Sequence, residues 1–370
     1  MHKLRVGILF GGRSSEHEIS LRSARSVVQA LDRTRFAATL IGIDHHGRWH
    51  VLDEPQFLAL TNVALPALGD GGPEVLLPPV PSSGELIDLT PRAPIDRLDV
   101  VFPVLHGTLG EDGTVQGLLE LADIPYVGAG VLGSAVAMDK DVQKRLLRDA
   151  RIPIVPFIAA TQSAWQSDPE DIRHAASKLG YPLFVKPANA GSSVGVAKVR
   201  AATELDDAVV AAFAYDLKIL IEKGIDAREI ECSVLGNEHP EASLPGEVCP
   251  HADFYSYEAK YVDEHGATFR IPAPLDESQT IAVRELAIRT FRVLECEGMA
   301  RVDFFLDRVT GTIYVNEINS IPGFTNISVY PKLWEISGLS YTDLISRLLD
   351  LAIERHARRR QRQTVYRPKT

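Results

Sequence analysis

From Ala300 to Asn319 the chain reads as two strands around a turn, Ala300 to Leu306 and Thr312 to Asn319. The first is apolar with polar interruptions at Arg301 and Asp303, and the second carries Glu317 and Asn319 toward its end. Alternate residues of a strand share a face, so each polar pair points one way. The connection Asp307-Arg308-Val309-Thr310-Gly311 is turn chemistry, which makes a hairpin the economical pairing. If the polar faces meet, a guanidinium, two carboxylates and an amide converge beside an apolar core. Such charge is costly to bury without a counterion. Mg²⁺ takes oxygen ligands of this kind, typically one or two carboxylates together with nucleotide phosphates. Ile321-Pro322-Gly323-Phe324 then brings a turn with bare backbone close to the same place. Two surface salt bridges on an edge hairpin are the alternative, and four polar residues in otherwise apolar strands weigh against it.

The chain of 370 residues is long enough for two or three domains. A formal net charge of −10 excludes a general attraction to nucleic acid, so no nucleic-acid partner is expected. The only basic block, Arg355 to Arg362 and on to Thr370, reads as a solvated terminus. Cys232, Cys249 and Cys296 have neither metal nor redox spacing, which suits a reducing cytoplasm. No apolar run approaches the length of a membrane span, and the N-terminus enters a strand without a leader-like apolar region. A cytoplasmic protein without a membrane partner is therefore expected.

Leu4 to Phe10, Gly11-Gly12 and a helical pattern from Ile19 to Leu31 form a strand, glycine turn and helix, the opening of an α/β unit. Ser15 and Glu18 fit a capping box for that helix. Glu16, in its first turn, either complements the helix dipole or grips a substrate ammonium at a strand end. Ala37 to Ile43 is a second strand. Residues 44–94 read as an irregular elaboration packed on this first unit, and Leu98 to Leu105 as a further strand. The glycine-dense loop His106 to Gly113 follows it. Loops of this kind carry function, although His106 serves equally as a structural anchor. Ile124 to Gly128 is a short closing strand.

One helix is expected over Ser134 to Ala150, with Asp139-Lys140 inside it. Strands follow at Ile152 to Ala159 and Pro182 to Pro187, the latter interrupted by Lys186. The turn Ala190-Gly191-Ser192-Ser193-Val194-Gly195-Val196 offers backbone N–H groups and hydroxyls to a phosphate, although glycine-rich hairpin turns are common for backbone reasons alone. Ile219 to Ile225 ends in charge at Glu222 and Lys223. Ala227 to Leu235 carries Glu229 and Glu231 at alternate positions. Phe254 to Ala273, with Tyr255, Tyr257 and Tyr261, reads as an ordered lid. Gln279 to Leu294 is an amphipathic helix, and Ser340 caps the last helix.

Eight blocks in order, GGRSSEHEIS, LHGTLGEDGT, AMDK, VKPANAGSSVGV, IEKGIDAREIE, YSYEAKY, ARVDFF and NEINSIPGFTNIS, span about residues 5 to 332. On these the chain resembles the D-alanine-D-alanine ligases of the ATP-grasp superfamily, in their long-chain form. The resemblance implies an α/β fold, α+β in its C-terminal parts. An N-terminal parallel-sheet domain (1–133, with the 44–94 elaboration) would bind substrate. Two further α/β domains, 134–222 and 223–356, would clasp ATP, and 357–370 would be a basic tail.

By the same resemblance, Lys140 and Lys186 would contact the phosphates and Lys260 the transferred phosphoryl group. Glu222, Lys223 and Ile225 would line the adenine site, with Glu229 on the ribose. Ser192 and Ser193 would form a flap over the phosphates. Asp303, Glu317 and Asn319 would hold two Mg²⁺, with Mn²⁺ able to substitute. Arg301 and the Gly323 N–H would form the oxyanion site. Glu16 would hold the first D-alanine, Ser328 the carboxylate of the second, and His106 would join the substrate site. Hydrogen bonds linking Glu16, Ser192 and Tyr261 would close the lid.

The implied reaction joins two D-alanines for peptidoglycan synthesis through an acyl phosphate, in a homodimer. Tyr261 in the EAKY block favours an amine over the hydroxyl nucleophile of a D-alanine-D-lactate ligase. A catalytically inactive nucleotide-binding regulator would show a broken metal set, whereas Arg301, Asp303, Glu317 and Asn319 are all present.

Overall fold

The computed structural model describes residues 3–63, 66, 68, 72–81, 84–89, 97–250, 267–363 and 366. The first sheet contains β1 (Leu4–Gly11), β2 (Phe36–Ile43), β3 (Trp49–Leu52), β4 (Glu74–Leu76), β5 (Ile87–Asp88) and β6 (Val100–Pro103), in the order β5-β4-β3-β2-β1-β6. β1 pairs in parallel with β2 and with β6, while β3 to β5 add antiparallel strands at the far edge. The 44–94 segment, expected to be irregular, therefore widens this sheet over its described part and adds a short helix, Glu54–Leu60. Its prolines and glycines cut the strands short without preventing them. Because β1 and β6 are parallel neighbours, the loops at their carboxyl ends emerge side by side, where open α/β sheets place ligands. These loops carry Glu16 and the His106–Gly113 turn.

The second sheet contains β7 (Phe157–Thr161), β8 (Leu183–Pro187), β9 (Ala197–Val199) and β10 (Lys218–Lys223), in the antiparallel order β7-β10-β8-β9. Its buried face, including Val185, Val199, Ile219 and Ile221, packs with Ala176, Val209 and Ala212 of two helices. The expected strand at Ile152 starts only at Phe157, since Pro153 and Pro156 have no N–H for a ladder. The third sheet contains β11 (Ala227–Gly236), β12 (Glu241–Ala242), β13 (Gly246–Pro250), β14 (Ala267–Arg270), β15 (Gly298–Asp307) and β16 (Ile313–Asn319). Its order is β14-β13-β11-β15-β16, with β12 beside β11.

In β15 and β16, Val302, Phe304, Leu306, Val315 and Ile318 are buried in one cluster with Val283, Ala287 and Phe291 of the helix Glu277–Val293. Each such side chain contributes roughly 1.5–3 kcal/mol on burial. That anchors the hairpin and leaves its other face to the polar residues.

Further local expectations change. The helix expected over Ser134 to Ala150 is two helices, Val131–Met138 and Lys140–Asp149, broken at Asp139. Asp139 leaves helical geometry and its carboxylate accepts the Val142 N–H, so it caps the second helix and places Lys140 at that helix's first position. The Ser15 capping box does not form. Glu16 is the N-cap residue, without a side-chain cap, and Ser14 Oγ accepts the Glu16 N–H. The closing strand after Ile124 reduces to one parallel bridge, Val101 to Tyr126.

The basic block is also not simply solvated. The helix Tyr341–Arg360 packs Leu344, Ile345, Leu348 and Leu349 into a cluster shared with Val6, Ile8, Phe10 and Phe102 of the first sheet. Arg355 is 2% exposed; it donates to the Tyr126 and Gly128 carbonyls, and its guanidinium lies 4.3 Å from the Tyr126 ring centroid. No helix among the described residues is long and apolar enough to cross a membrane.

Replacing Arg355 by Met strands two carbonyls that it satisfies. Thermal or denaturant unfolding should show a loss of about 2–4 kcal/mol. Arg360→Ala, which loses only an exposed pair with Asp123, should cost under about 1 kcal/mol. Equal effects would mean that Arg355 is as solvated as the sequence suggests.

Candidate active site

All three sheets contribute to one cleft of about 1400 Å³. Its wall includes Glu16 and His106 from the first sheet's loops, Lys186 and Glu222 from the second sheet, and Arg301, Asp303 and Glu317 from the hairpin. Every site residue named from the sequence that lies among the described residues lines this cleft: Glu16, His106, Lys140, Lys186, Ser192, Ser193, Glu222, Lys223, Ile225, Glu229, Arg301, Asp303, Glu317, Asn319, Gly323 and Ser328. Lys260 and Tyr261, and with them most of the expected lid, lie outside the described residues.

The hairpin face depends on a register shift. Leu306, Phe305 and Phe304 pair with Ile313, Tyr314 and Val315, but Asp303 pairs with Glu317 and Arg301 with Asn319, so Asn316 is an extra residue on β16. Continued without that bulge, the ladder would set Asp303 opposite Asn316 and Arg301 opposite Ile318. A one-residue slip moves a strand's side chains to the other face, and bulges re-aim side chains at sites. With the bulge, the four polar residues form one layer. Arg301 Nε and Nη2 each donate to Asp303 at 2.7 Å, and the guanidinium lies 3.2 Å from Glu231. Asn319 Nδ2 donates to Asp303 at 3.0 Å. Burial pulls the Arg301 guanidinium down, but Asp303, Glu231 and Glu317 outweigh it and hold this arginine firmly charged.

Lys140, fixed at a helix start, donates from Nζ to the Ala190 carbonyl at 2.8 Å and lies 3.5 Å from Glu317. Its backbone N–H donates to the Ala188 carbonyl, which ties the helix start to the end of β8. Lys186 on β8 lies 2.8 Å from Glu222 on the neighbouring β10. The same carboxylate lies 3.0 Å from Lys144, a residue on the helix after Lys140 that the sequence reading passed over. Burial pushes Glu222 up, but the two ammonium groups outweigh that and hold its carboxylate below the usual range. Lys144 lies one helical turn beyond Lys140 and so shares its face, the one sequence signal that could have found it.

Glu16, on the loop after β1, meets the glycine-serine turn between β8 and β9, accepting a hydrogen bond from Ser192 Oγ. Ser192 and Ser193 both have positive φ, 51° and 61°, a conformation that L residues seldom adopt and that clusters at ligand clamps. Two backbones close on the Glu16 carboxylate. A Cβ on either Gly107 or Gly191 would stand 2.7 Å from Glu16 Oε2, so a larger residue at either place would displace that carboxylate.

His106 is buried and takes the anchor role that its position left open. Its Nε2 lies 3.0 Å from Ser23 Oγ and its Nδ1 lies 3.2 Å from the Ile321 carbonyl. Ser23 Oγ accepts the Phe324 N–H, and Glu111 accepts the N–H groups of Gly107 at 2.7 Å and Ile321 at 3.4 Å. The turn containing Gly323 is thus held by His106 and Glu111 of the loop after β6 and by Ser23 of the helix His17–Ala30. Ser328 closes its far side, since a Cβ on Gly323 would stand 2.8 Å from Ser328 Oγ. Glu111 was visible only as one acid of a glycine-rich loop.

The donor types suit a hard divalent cation that arrives with phosphate. Asp303 and Glu317 are cross-strand partners with Asn319 beside them, and Mg²⁺ commonly uses only one or two carboxylates plus phosphate oxygens. Among the described residues no group of three or more His, Cys, Asp or Glu side chains is arranged to hold a metal alone.

Comparison with known proteins agrees along the chain. The family models for the D-ala D-ala ligase N-terminus and C-terminus match residues 5–129 and 146–350. The D-alanine--D-alanine ligase of Shouchella clausii is 51% identical over 362 residues, covering 98% of each chain. D-alanine--D-alanine ligase A of Escherichia coli K12 is 50% identical over 358 residues, covering 96% of this chain and 98% of that protein. Among solved structures, the D-alanine-D-alanine ligase from Coxiella burnetii superposes with a TM-score of 0.84 at 40% identity, covering 98% of this chain and 97% of the other. The VanG D-Ala:D-Ser ligase from Enterococcus faecalis gives 0.82 at 33% identity, covering 95% and 100%.

Burial, followed by the Glu16 carboxylate, raises the Glu111 carboxyl above its ordinary range. A raised acid holds its proton in the folded protein where the unfolded chain has released it. Its contribution to stability is therefore complete below the ordinary carboxyl pKa and is lost as pH climbs through the raised value. Unfolding midpoints measured from about pH 5 to 9 should fall less steeply for Glu111→Gln than for the unaltered protein. Parallel slopes would contradict the assignment.

Proposed function

The chain belongs to the D-alanine-D-alanine ligase family, and from that premise we propose that its cleft joins two D-alanines with ATP through a D-alanyl phosphate. The observation that carries the reading is the meeting, in one cleft, of the charged hairpin layer with Lys140 beside it, the Lys186–Glu222 pair and the Glu16–Ser192 contact.

A carboxylate is a poor acyl donor, and transfer of the ATP γ-phosphoryl to a D-alanine oxygen makes it a good one. Such transfer needs positioning and charge neutralisation more than covalent help. Lys140 and Lys186 hold the phosphates, Lys260 reaches the transferred group, and Ser192 and Ser193 cover them with backbone and hydroxyls. Glu222, Lys223 and Ile225 take the adenine, and Glu229 the ribose. Asp303, Glu317 and Asn319 would hold Mg²⁺, or Mn²⁺ in its place, which when bound neutralises charge on the phosphates.

Glu16 orients the first D-alanine through its ammonium, and Ser328 the second through its carboxylate. The second amine, in its neutral form, attacks the carbonyl carbon and gives up a proton to the Ser192–Tyr261 network as the C–N bond forms. The tetrahedral oxyanion is met by Arg301 and by the Gly323 N–H, whose turn His106, Ser23 and Glu111 hold in place. Preorganised donors of this kind each contribute about 10²–10³ in rate. Collapse of the intermediate breaks the C–O bond, and phosphate leaves with the oxygen it was joined to. The lid that carries Lys260 and Tyr261 excludes the water that would hydrolyse the acyl phosphate. We also propose that the enzyme works in the cytoplasm as a homodimer.

ADP release should require D-alanine and a divalent cation, and mass analysis with D-alanine, D-lactate and D-serine offered together should find D-alanyl-D-alanine as the main product. Turnover of ATP that ignores D-alanine would overturn the reading. Asp303→Asn should lower kcat by about 10²-fold or more in a protein still folded at the assay temperature, with an unfolding midpoint lowered by the loss of the Arg301 pair. Near-normal activity would remove Asp303 from the phosphate and metal chemistry.

A further inference from the structure

Lys144 has no part in the chemistry above, yet it is 0% exposed. A lysine is almost never fully buried unless paired, and its charge is expensive to desolvate. Its ammonium lies 3.0 Å from Glu222 Oε1, and the Phe157 ring lies 5.9 Å away. Neither Lys144 Nζ nor Glu222 Oε1 makes a hydrogen bond of good geometry among the described residues. The other oxygen of Glu222 lies 2.8 Å from Lys186. Two ammonium groups thus crowd one buried carboxylate. Burial and the like charge of Lys186 both lower Lys144, and Glu222 opposes them.

The two lysines differ in what else they can reach. Lys186 lines the cleft and also lies 3.5 Å from Asn316 Oδ1, beside the hairpin layer. Lys144 does not line the cleft and has no exposed surface, so it cannot follow a ligand. If Lys186 were the sole counterion of Glu222, drawing it toward a phosphate would leave a buried carboxylate uncompensated, a costly outcome.

We propose that Lys144 is a positioning residue for the nucleotide: the fixed counterion that keeps Glu222 ionised and in place when Lys186 turns to the phosphates. This rests on the nucleotide reading of the cleft. Binding then converts a crowded trio into one neutral buried pair and one lysine on the phosphates, so part of the affinity comes from relief of repulsion between the lysines. Lys144 touches neither substrate nor nucleotide and acts through Glu222.

The test is a double-mutant cycle, read by calorimetric titration of MgADP into the folded protein and by steady-state kinetics. Lys144→Met should raise the MgADP dissociation constant by about tenfold or more while the KM for D-alanine stays within about twofold. In a Glu222→Gln background, where no buried anion needs a partner, the same substitution should weaken MgADP by less than about threefold. Lys144→Gln, polar and uncharged, should reproduce both results if the methionine variant folds poorly. A smaller loss in the unaltered background, or an equal loss in both, overturns the proposal and assigns Lys144 a packing role. Failure of the unaltered protein to bind MgADP would overturn instead the nucleotide reading beneath it.

Discussion

The structure turns on the pairing of Arg301 with Asp303 inside a bulged hairpin. An arginine and an aspartate on one face of a strand are costly to desolvate singly, and here they are half-buried together with Glu231, Glu317 and Asn319 around them. Apolar residues on the opposite face lock the two strands, so the charged layer is held by the core beneath it. The bulge at Asn316 decides which residues meet. With Asn316 paired in a regular ladder instead of bulged, Asp303 would face Asn316, Glu317 would fall on the other face, and the two carboxylates would not meet.

The rest of the molecule brings other groups to this layer. The break at Asp139 aims Lys140 at Glu317, and Gln143 of the same helix accepts the Ile318 N–H, joining that helix to β16. The loop after β6 and the helix after β1 clamp the Ile321–Phe324 turn from one side, through Glu111 and His106 and through Ser23. Across the cleft, Glu222 collects Lys144 and Lys186. Each side of the site is a buried charge with partners from another element. That couples site geometry to the packing of the three sheets, because a shift of any element leaves a charge unpaired.

What the sequence shows follows the range of the interactions involved. The hairpin, the helix Glu277–Val293 and the Ser340 cap are local patterns, and they are readable directly. The Ser15 capping box had the right spacing and still failed, since the segment's polar groups serve distant partners: Glu16 accepts from Ser192, 176 residues away. The Asn316 bulge carries no compositional mark, because asparagine is ordinary next to Glu317. Arg355 looked like one more basic residue of a terminal run, and only the carbonyls of Tyr126 and Gly128, contributed by a distant segment, make it a core residue. Lys144 and Glu111 were missed for the same reason: their partners lie on other strands and loops. The roles of the cleft residues came from ordered motifs, which supply chemistry that spacing alone does not.

The central claim is that one cleft activates a carboxylate by phosphorylation and then lets an amine displace the phosphate. Ligation run with D-alanine carrying ¹⁸O in its carboxylate tests this most directly. The phosphoryl group joins a carboxylate oxygen and departs with it, so the released inorganic phosphate should carry one ¹⁸O atom for each dipeptide formed. Phosphate free of ¹⁸O, with dipeptide still produced, would contradict the account.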